Sequence, residues 1–261
     1  MRMTFAVCAY KESPYLSECI ESLLAQTVKC DIYIATSTPC DYIKEIADNY
    51  NLPLYIRNGA SNIATDWNFA YSKAETEIVC IAHQDDVYLP EYAQSIIAMM
   101  ENADNPIIAF TGYGERRDSQ DVYSNKLLNI KKLMLLPLQC SCFWNSRWMR
   151  RRILSLGSPI GCPAVSYNKS NIPYEEIFKV QYRSDVDWQA WELLSRLKGS
   201  FCYDKKPNML HRIHEESATT AIIADNDRTK EDFEMYCKFW PKGIARLLLE
   251  LYKMSQESNK I

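Results

Sequence analysis

The stretch Glu77-Ile78-Val79-Cys80-Ile81-Ala82-His83-Gln84-Asp85-Asp86 sets five apolar residues directly before a polar turn with two adjacent acids. A compact apolar run of this length reads as a buried strand, here residues 77–82, whose carboxyl end opens into a loop. Two neighbouring carboxylates repel each other. A hard divalent cation relieves that repulsion, and Mg²⁺ or Mn²⁺ held by one or two carboxylates usually completes its shell with phosphate oxygens. The same acids would equally suit a turn that caps a helix starting near Pro90. The position of the strand in the chain separates the two readings.

Working backwards, the first third alternates strand and helix periods. Residues 4–9 are a short apolar run. Pro14 then opens a helix whose Tyr15, Leu16, Cys19, Ile20, Leu23 and Leu24 share one stripe. Residues 31–35 read as a second strand, and Asp41 as the cap of a helix carrying Ile43, Ile46, Ala47 and Tyr50 inward. Residues 54–56 read as a third strand, 62–74 as a helix, and 77–82 as the fourth strand. This alternation predicts a mostly parallel sheet flanked by helices, which binds ligands at the carboxyl ends of its strands. The acid pair stands at such an end, and that favours the ligand reading.

The 261 residues, 47% hydrophobic and 24% charged, suit one large α/β domain. A net charge of -3 gives no positive field to hold nucleic acid by its phosphates, so no nucleic-acid partner is expected. The ten scattered cysteines contain no C-x-x-C pair and read as reduced thiols of a cytoplasmic protein. The N-terminus runs into the first strand without the apolar core of a signal peptide, and no later run is long enough to cross a bilayer. Membrane contact is expected to be peripheral at most, at the inner face.

Residues 111–184, with prolines at 137, 159, 163 and 173, give no clear period. A helix is expected over 187–197, ended by Gly199, then a short strand at 200–203. Residues 227–260 read as helical, with Leu247, Leu248, Leu249, Leu251 and Tyr252 as the packing face. The expected division is a catalytic domain over 1–220 with a C-terminal helical extension, 221–261, packed on it.

Four motifs resemble the family 2 glycosyltransferases, which have the GT-A fold. They are Phe5-Ala6-Val7-Cys8-Ala9-Tyr10-Lys11-Glu12 at the first strand; Ser22-Leu23-Leu24-Ala25-Gln26-Thr27 at the first helix end; Asn58-Gly59 with Asp66-Trp67-Asn68-Phe69-Ala70; and His83-Gln84-Asp85-Asp86 at the D-x-D position. Their order and spacing match over about the first hundred residues. Gln84 departs from the triplet's first acid, and Asp66-Trp67 from the basic or glycine-rich character of the third motif. The resemblance implies that Ala9, Tyr10, Lys11, Glu12 and Thr36 contact the nucleoside, Asp66 the base, Asp85 the ribose or sugar, and Asp86 the metal, Mn²⁺ or Mg²⁺. It implies transfer from a nucleotide-diphosphate sugar donor to a saccharide or lipid-linked saccharide acceptor, as in bacterial polysaccharide synthesis.

Asp185-Val186-Asp187-Trp188 resembles the family's E-D motif, whose aspartate is the general base of an inverting transfer, and Asp187 is favoured for it. Either acid also suits a helix cap. His211-Arg212-Ile213-His214 is similar to the family's R-x-H segment, whose final histidine completes the metal shell or reaches the diphosphate, a role that falls to His214. The arginines at 147, 150, 151 and 152 read first as a solvated helix face, and otherwise as a grip on an acceptor phosphate or an anionic membrane. Cys140, Cys142 and Cys162 fit no zinc spacing.

Three other functions compete with this reading. A nucleotidylyltransferase needs an early glycine-rich phosphate loop, and the first glycine here is Gly59. A metal-dependent hydrolase needs more histidine than the three present. A degenerate, non-catalytic binding subunit is the alternative that Gln84 admits.

Overall fold

The computed structural model describes residues 1–117, 120–214 and 227–257. Its first part alternates β1 (Met3–Ala9), α1 (Leu16–Leu24), β2 (Asp31–Thr36), α2 (Asp41–Asn49), β3 (Leu54–Ile56), α3 (Ile63–Lys73) and β4 (Ile78–His83). β1 pairs in parallel with β2 on one side and β4 on the other, and β2 pairs in parallel with β3. Helices cover both faces, so successive residues of β1 enter different cores. Phe5 and Val7 pack with α1 and α2, whereas Ala6 packs with α3.

The local signals act with two exceptions. In α1, Leu16, Cys19, Ile20 and Leu23 are buried, while Leu24 points outward. Asp41 lies inside the first turn of α2 and makes no cap; Cys40 holds the cap position. Asn62 does cap α3, its side chain accepting from the amides of Ala64 and Thr65 at 3.0 and 3.3 Å.

The chain continues through β5 (Val87–Tyr88), α4 (Tyr92–Asn102), β6 (Pro106–Arg117), β7 (Gln120–Val122), α5 (Lys126–Met134), α6 (Arg147–Leu154), β8 (Val165–Asn168), α7 (Val186–Ser195) and β9 (Ser200–Ile213). The sheet order is β3-β2-β1-β4-β8-β6-β9-β5, with β7 beside β6. β8 runs antiparallel between β4 and β6, so the sheet is mixed beyond its first four strands. β6 and β9 form a long parallel pair whose register shifts between Thr111 and Gly114. Those shifts, with two glycines, erase the period-2 signal there. At Gly112 a Cβ would stand 2.6 Å from the Lys205 carbonyl oxygen, so the close approach of the two strands requires glycine.

Last come α8 (Asp227–Cys237) and α9 (Lys242–Glu257). Met235, Tyr236, Ala245 and Leu249 are buried in the core that also holds Trp188 and Trp191 of α7. The expected leucine face is corrected here, because Leu247 and Leu251 are 61% and 55% exposed. At about 100° per residue no helix brings positions 247, 248, 249, 251 and 252 to one side. The arginine cluster is corrected too: Arg150 is fully buried, and its guanidinium donates to the carbonyls of Ser195, Leu197 and Gly199. It thereby satisfies the orphan acceptors at the end of α7.

Candidate active site

β4 delivers the acid pair to the carboxyl edge of the parallel strands, and neither acid caps a helix: β5 follows at once, and α4 starts only at Tyr92. Asp86 is completely buried. Its Oδ1 lies 2.9 Å from His211 Nδ1 and accepts from the Arg212 amide at 2.9 Å. Burial alone would raise this carboxyl, but the His211 ring, His83 and the Arg212 amide outweigh it and hold Asp86 below the usual carboxylate range. Burial likewise disfavours charge on His211, and Asp86 with Asp85 more than offsets it, so the His211 pKa is raised.

The other oxygen, Oδ2, has no hydrogen-bond partner and lies 3.7 Å from His83 Nδ1. Burial lowers the His83 pKa against the pull of both acids. The His83 ring stacks on Trp67 at 5.0 Å and 20°. Asp85 bonds His214, Nε2 to Oδ2, at 2.9 Å. All three histidines of the chain thus converge on two acids. His211, not assigned a role from the sequence, is the ring bonded to Asp86.

A buried carboxylate oxygen without a partner fits a ligand to a hard cation that draws its remaining ligands from a diphosphate. Among the described residues, no three His, Cys, Asp or Glu side chains stand grouped as an all-protein cage. Mg²⁺-type sites with one or two carboxylates do not need one.

Arg212 braces the floor of the site. Its Nε donates to the Asp85 carbonyl at 2.8 Å, its Nη2 bonds Glu18 of α1, and its guanidinium lies 4.3 Å over the Tyr15 ring. Arg116 of β6 holds the other oxygen of Glu18 at 2.7 Å. The strand-end loops are bonded to each other as well. The Gln84 amide accepts from the Tyr10 amide at 2.9 Å and donates to the Tyr10 carbonyl at 3.1 Å. Lys11, at φ 52°, donates its amide to Thr38 Oγ1 at 2.7 Å, and the Thr38 amide donates to Thr36 Oγ1 at 3.0 Å. Tyr10, Lys11 and Glu12 are exposed on this rim, while Ala9 and Thr36 are buried beneath it.

Asp66 lies in the first turn of α3, one residue before the Trp67 that stacks on His83. Its Oδ1 accepts from Arg57 Nε at 2.8 Å; its Oδ2 accepts from Ser61 Oγ at 2.7 Å and from the Asn62 amide at 3.1 Å. Both oxygens therefore shape the 57–66 loop, a use that the sequence did not signal.

Of the two acids at the start of α7, neither caps by its side chain in the expected way. Asp185 holds the cap position without a side-chain cap bond, and Asp187 Oδ1 accepts from the adjacent Trp188 amide at 2.6 Å. Asp187 is half-buried. Burial raises its pKa against the Trp188 amide, Lys131 and Arg228. Lys131 of α5 donates to Tyr113 Oη at 2.8 Å.

Asp185 instead faces α8. It is buried, its Oδ2 has no partner, and burial followed by Asp232 and Asp187 drives its pKa far up. Glu231 of α8 holds this turn by accepting from the amides of Arg183, Ser184 and Asp185 and from Ser184 Oγ, at 2.8 to 3.0 Å. No sequence pattern pointed to Glu231, because its partners are main-chain amides more than forty residues away.

No curated protein matches the chain by sequence. Among solved structures, Staphylococcus aureus TarS 1-349 in complex with UDP-GlcNAc is similar, with a TM-score of 0.63 and 16% identity, over 95% of this chain and 70% of that one. A mannosyltransferase from Pyrobaculum calidifontis, PcManGT, in complex with GDP-Man and Mn²⁺, has a TM-score of 0.63 and 12% identity, over 96% and 69%. At such identities the likeness speaks for the fold, which is GT-A. The profile of glycosyl transferase family 2 matches residues 4–156, more than half of the 261, and the chain belongs to that family.

Proposed function

We propose that this protein is an inverting, metal-dependent transferase that moves a sugar from a nucleotide-diphosphate donor to a hydroxyl of a saccharide or lipid-linked saccharide. The observation that carries the reading is the buried, unpartnered Oδ2 of Asp86 beside Asp85, at the carboxyl end of β4. Ala9, Tyr10, Lys11, Glu12 and Thr36 form the nucleoside side, and Asp85 takes the ribose or sugar. Asp66 serves the base through the loop that it shapes. Asp86, with His214, is the proposed ligand set for Mn²⁺ or Mg²⁺. When bound, that ion supplies Lewis-acid stabilisation of the charge developing on the diphosphate.

The remaining chemistry belongs to the chain. His211 and the Arg212 amide hold Asp86 ionised and immobile, so that its second oxygen is presented without reorganisation. Asp187 takes the proton of the acceptor hydroxyl; burial raises its pKa and makes it a stronger base than an ordinary carboxylate, against the Trp188 amide and Lys131, which pull the other way. The complexes of TarS with UDP-GlcNAc and of PcManGT with GDP-Man and Mn²⁺ support a donor of this class. We place the reaction in bacterial polysaccharide or glycoconjugate synthesis, on the cytoplasmic side. Residues 1–220 act as the catalytic domain, with 221–261 as a helical extension packed on it.

The test is a thermal-shift titration with UDP, GDP, dTDP and CDP, each with Mn²⁺ and with EDTA. A native-state ligand raises the melting temperature with the logarithm of its concentration over Kd. A shift for one nucleotide that requires Mn²⁺ supports the reading. No shift with any of the four, or turnover of none of their sugars, favours a non-catalytic binding subunit.

A further inference from the structure

We propose that the groove between α6 and α7 is a second ligand site, for a molecule that carries phosphate groups on an organic body. The groove has a volume of about 370 Å³ and is lined by Arg147, Trp148, Arg151 and Arg152 of α6 and by Arg196, the residue that closes α7. Residues 147, 148, 151 and 152 share one side of their helix, while Arg150, Ile153 and Leu154 are buried on the other. Arg150 therefore takes no part in the groove.

The charge of the lining is unbalanced. Glu192 of α7 is the carboxylate that meets these arginines, its Oε1 accepting from Arg151 Nη1 and from Arg196 Nε, both at 2.8 Å. Its side chain is buried, so it neutralises the groove wall from beneath. Neither Arg147 nor Arg152 forms an ion pair among the described residues. Asp104 accepts from Asn145 Nδ2 at 3.0 Å, ahead of α6, and lies outside the lining. Four guanidiniums against one carboxylate leave three positive charges at the groove. Helix stability does not account for them. α6 contains no acid, Arg147 and Arg151 are like charges four residues apart, and Arg147 stands at the helix end where the dipole disfavours a cation. A multivalent anion relieves all three.

The side chains are also posed for such a ligand. Arg151 lies over the Phe239 ring at 5.0 Å and Arg152 over the Trp240 ring at 4.8 Å. Stacking fixes the flat faces of these guanidiniums and leaves their N–H edges free, and a planar fork matches two oxygens of one phosphate. Trp148 is 68% exposed, the most of any large apolar side chain among the described residues, and its indole offers a face to the carbon part of the ligand. Asp187 begins α7 and Arg196 closes it, so about 14 Å of helix separates the groove from the proposed base. The assignment thus does not depend on the transferase function.

A soluble phosphate ester and a phospholipid headgroup share this chemistry, and the experiment separates them. The full chain is titrated in EDTA, at constant ionic strength, with pyrophosphate, with glucose 1-phosphate, and with vesicles of phosphatidylcholine with or without phosphatidylglycerol. Arg147→Gln with Arg152→Gln should weaken binding by about tenfold or more, whichever source binds. Trp148→Ala should weaken glucose 1-phosphate and spare pyrophosphate, which has no carbon body. These positions are exposed, so the melting temperature should match the parent's. Binding of the soluble probes alone identifies a soluble ligand, and binding of the phosphatidylglycerol vesicles alone identifies a headgroup. The proposal is overturned if the parent binds none of the probes or if the arginine variant binds as well as the parent. It is equally overturned if Asp86→Ala abolishes binding that the arginine variant retains, because the probe then sits in the donor site. The Mn²⁺-dependent nucleotide shift should be unchanged in the arginine and tryptophan variants, so a failed groove and a failed transferase function give different results.

Discussion

The Gln84 side-chain amide pairs with both main-chain groups of Tyr10, accepting from its N–H at 2.9 Å and donating to its carbonyl at 3.1 Å. A residue that stands where the family triplet has its first acid thus acts as a strand-like bridge between the β1 and β4 loops. The bridge fixes the loop after β1 against the acid pair.

Gln84→Ala should therefore loosen the rim and weaken donor binding while leaving the reacting carboxylates in place. Two neutral hydrogen bonds are worth about 1–3 kcal/mol together, or roughly 5- to 150-fold in donor KM. Gln84→Glu keeps the acceptor for the Tyr10 amide and loses the donor to its carbonyl, so it should fall between. Steady-state kinetics check this: a collapse of kcat at unchanged KM would mean that Gln84 acts in the chemical step.

Asp86→Ala should abolish the Mn²⁺ dependence of nucleoside-diphosphate affinity together with most transfer. It also leaves the His211 ring and the Arg212 amide facing an empty site, so a stability loss of about 2–4 kcal/mol is expected. Isothermal titration in Mn²⁺ and in EDTA, with a urea melt beside it, separates the two effects. Equal affinity of the parent protein in Mn²⁺ and EDTA would remove the metal assignment.

Asp187→Asn should leave donor affinity nearly intact and slow transfer by about 10²–10⁴-fold, the usual contribution of a general base. Asp185→Asn should do much less. Because the base must be ionised and its pKa is raised by burial, the parent's rate should fall on acidification at a pH above the ordinary carboxylate range. Lys131→Met removes a cation that lowers this pKa, so the acid limb should move to higher pH. A pH profile of kcat for the three variants decides it, and an unshifted limb in Lys131→Met would place the base elsewhere.

Asp185 provides a stability test of a different sign. Its folded-state pKa is raised, so the native protein holds a proton there that the unfolded chain releases once pH exceeds the ordinary carboxylate value. Over that window the native state binds more protons, and stability declines as pH rises. Asp185→Asn keeps the shape without the charge. Its melting temperature should exceed the parent's at neutral and alkaline pH, with the gap closing near pH 4. Melting curves across this range suffice, and a gap that widens on acidification would contradict the assignment.

The sequence by itself determined the frame. Residues 4–9, 31–35, 54–56 and 77–82 were legible as strands because a strand buried on both faces must be a short continuous apolar run. The helices between them were legible because one-sided burial imposes a 3.6-residue period. The position of the acid pair at the carboxyl end of a parallel strand was legible because that strand's run ends directly before it.

Tertiary structure alone decided the rest. β6 and β9 pair across nearly a hundred residues with register shifts at glycines, so neither shows a clean alternation. His211 reaches Asp86 from 125 positions away, and Glu231 reaches the start of α7 from 46 to 48 positions away. The direction of each acid after Ser184 also depended on packing. Asp185 lies by Asp232 of α8 and Asp187 by Lys131 of α5, because residues two apart at a helix start point in different directions, and only the neighbouring elements say what lies in each.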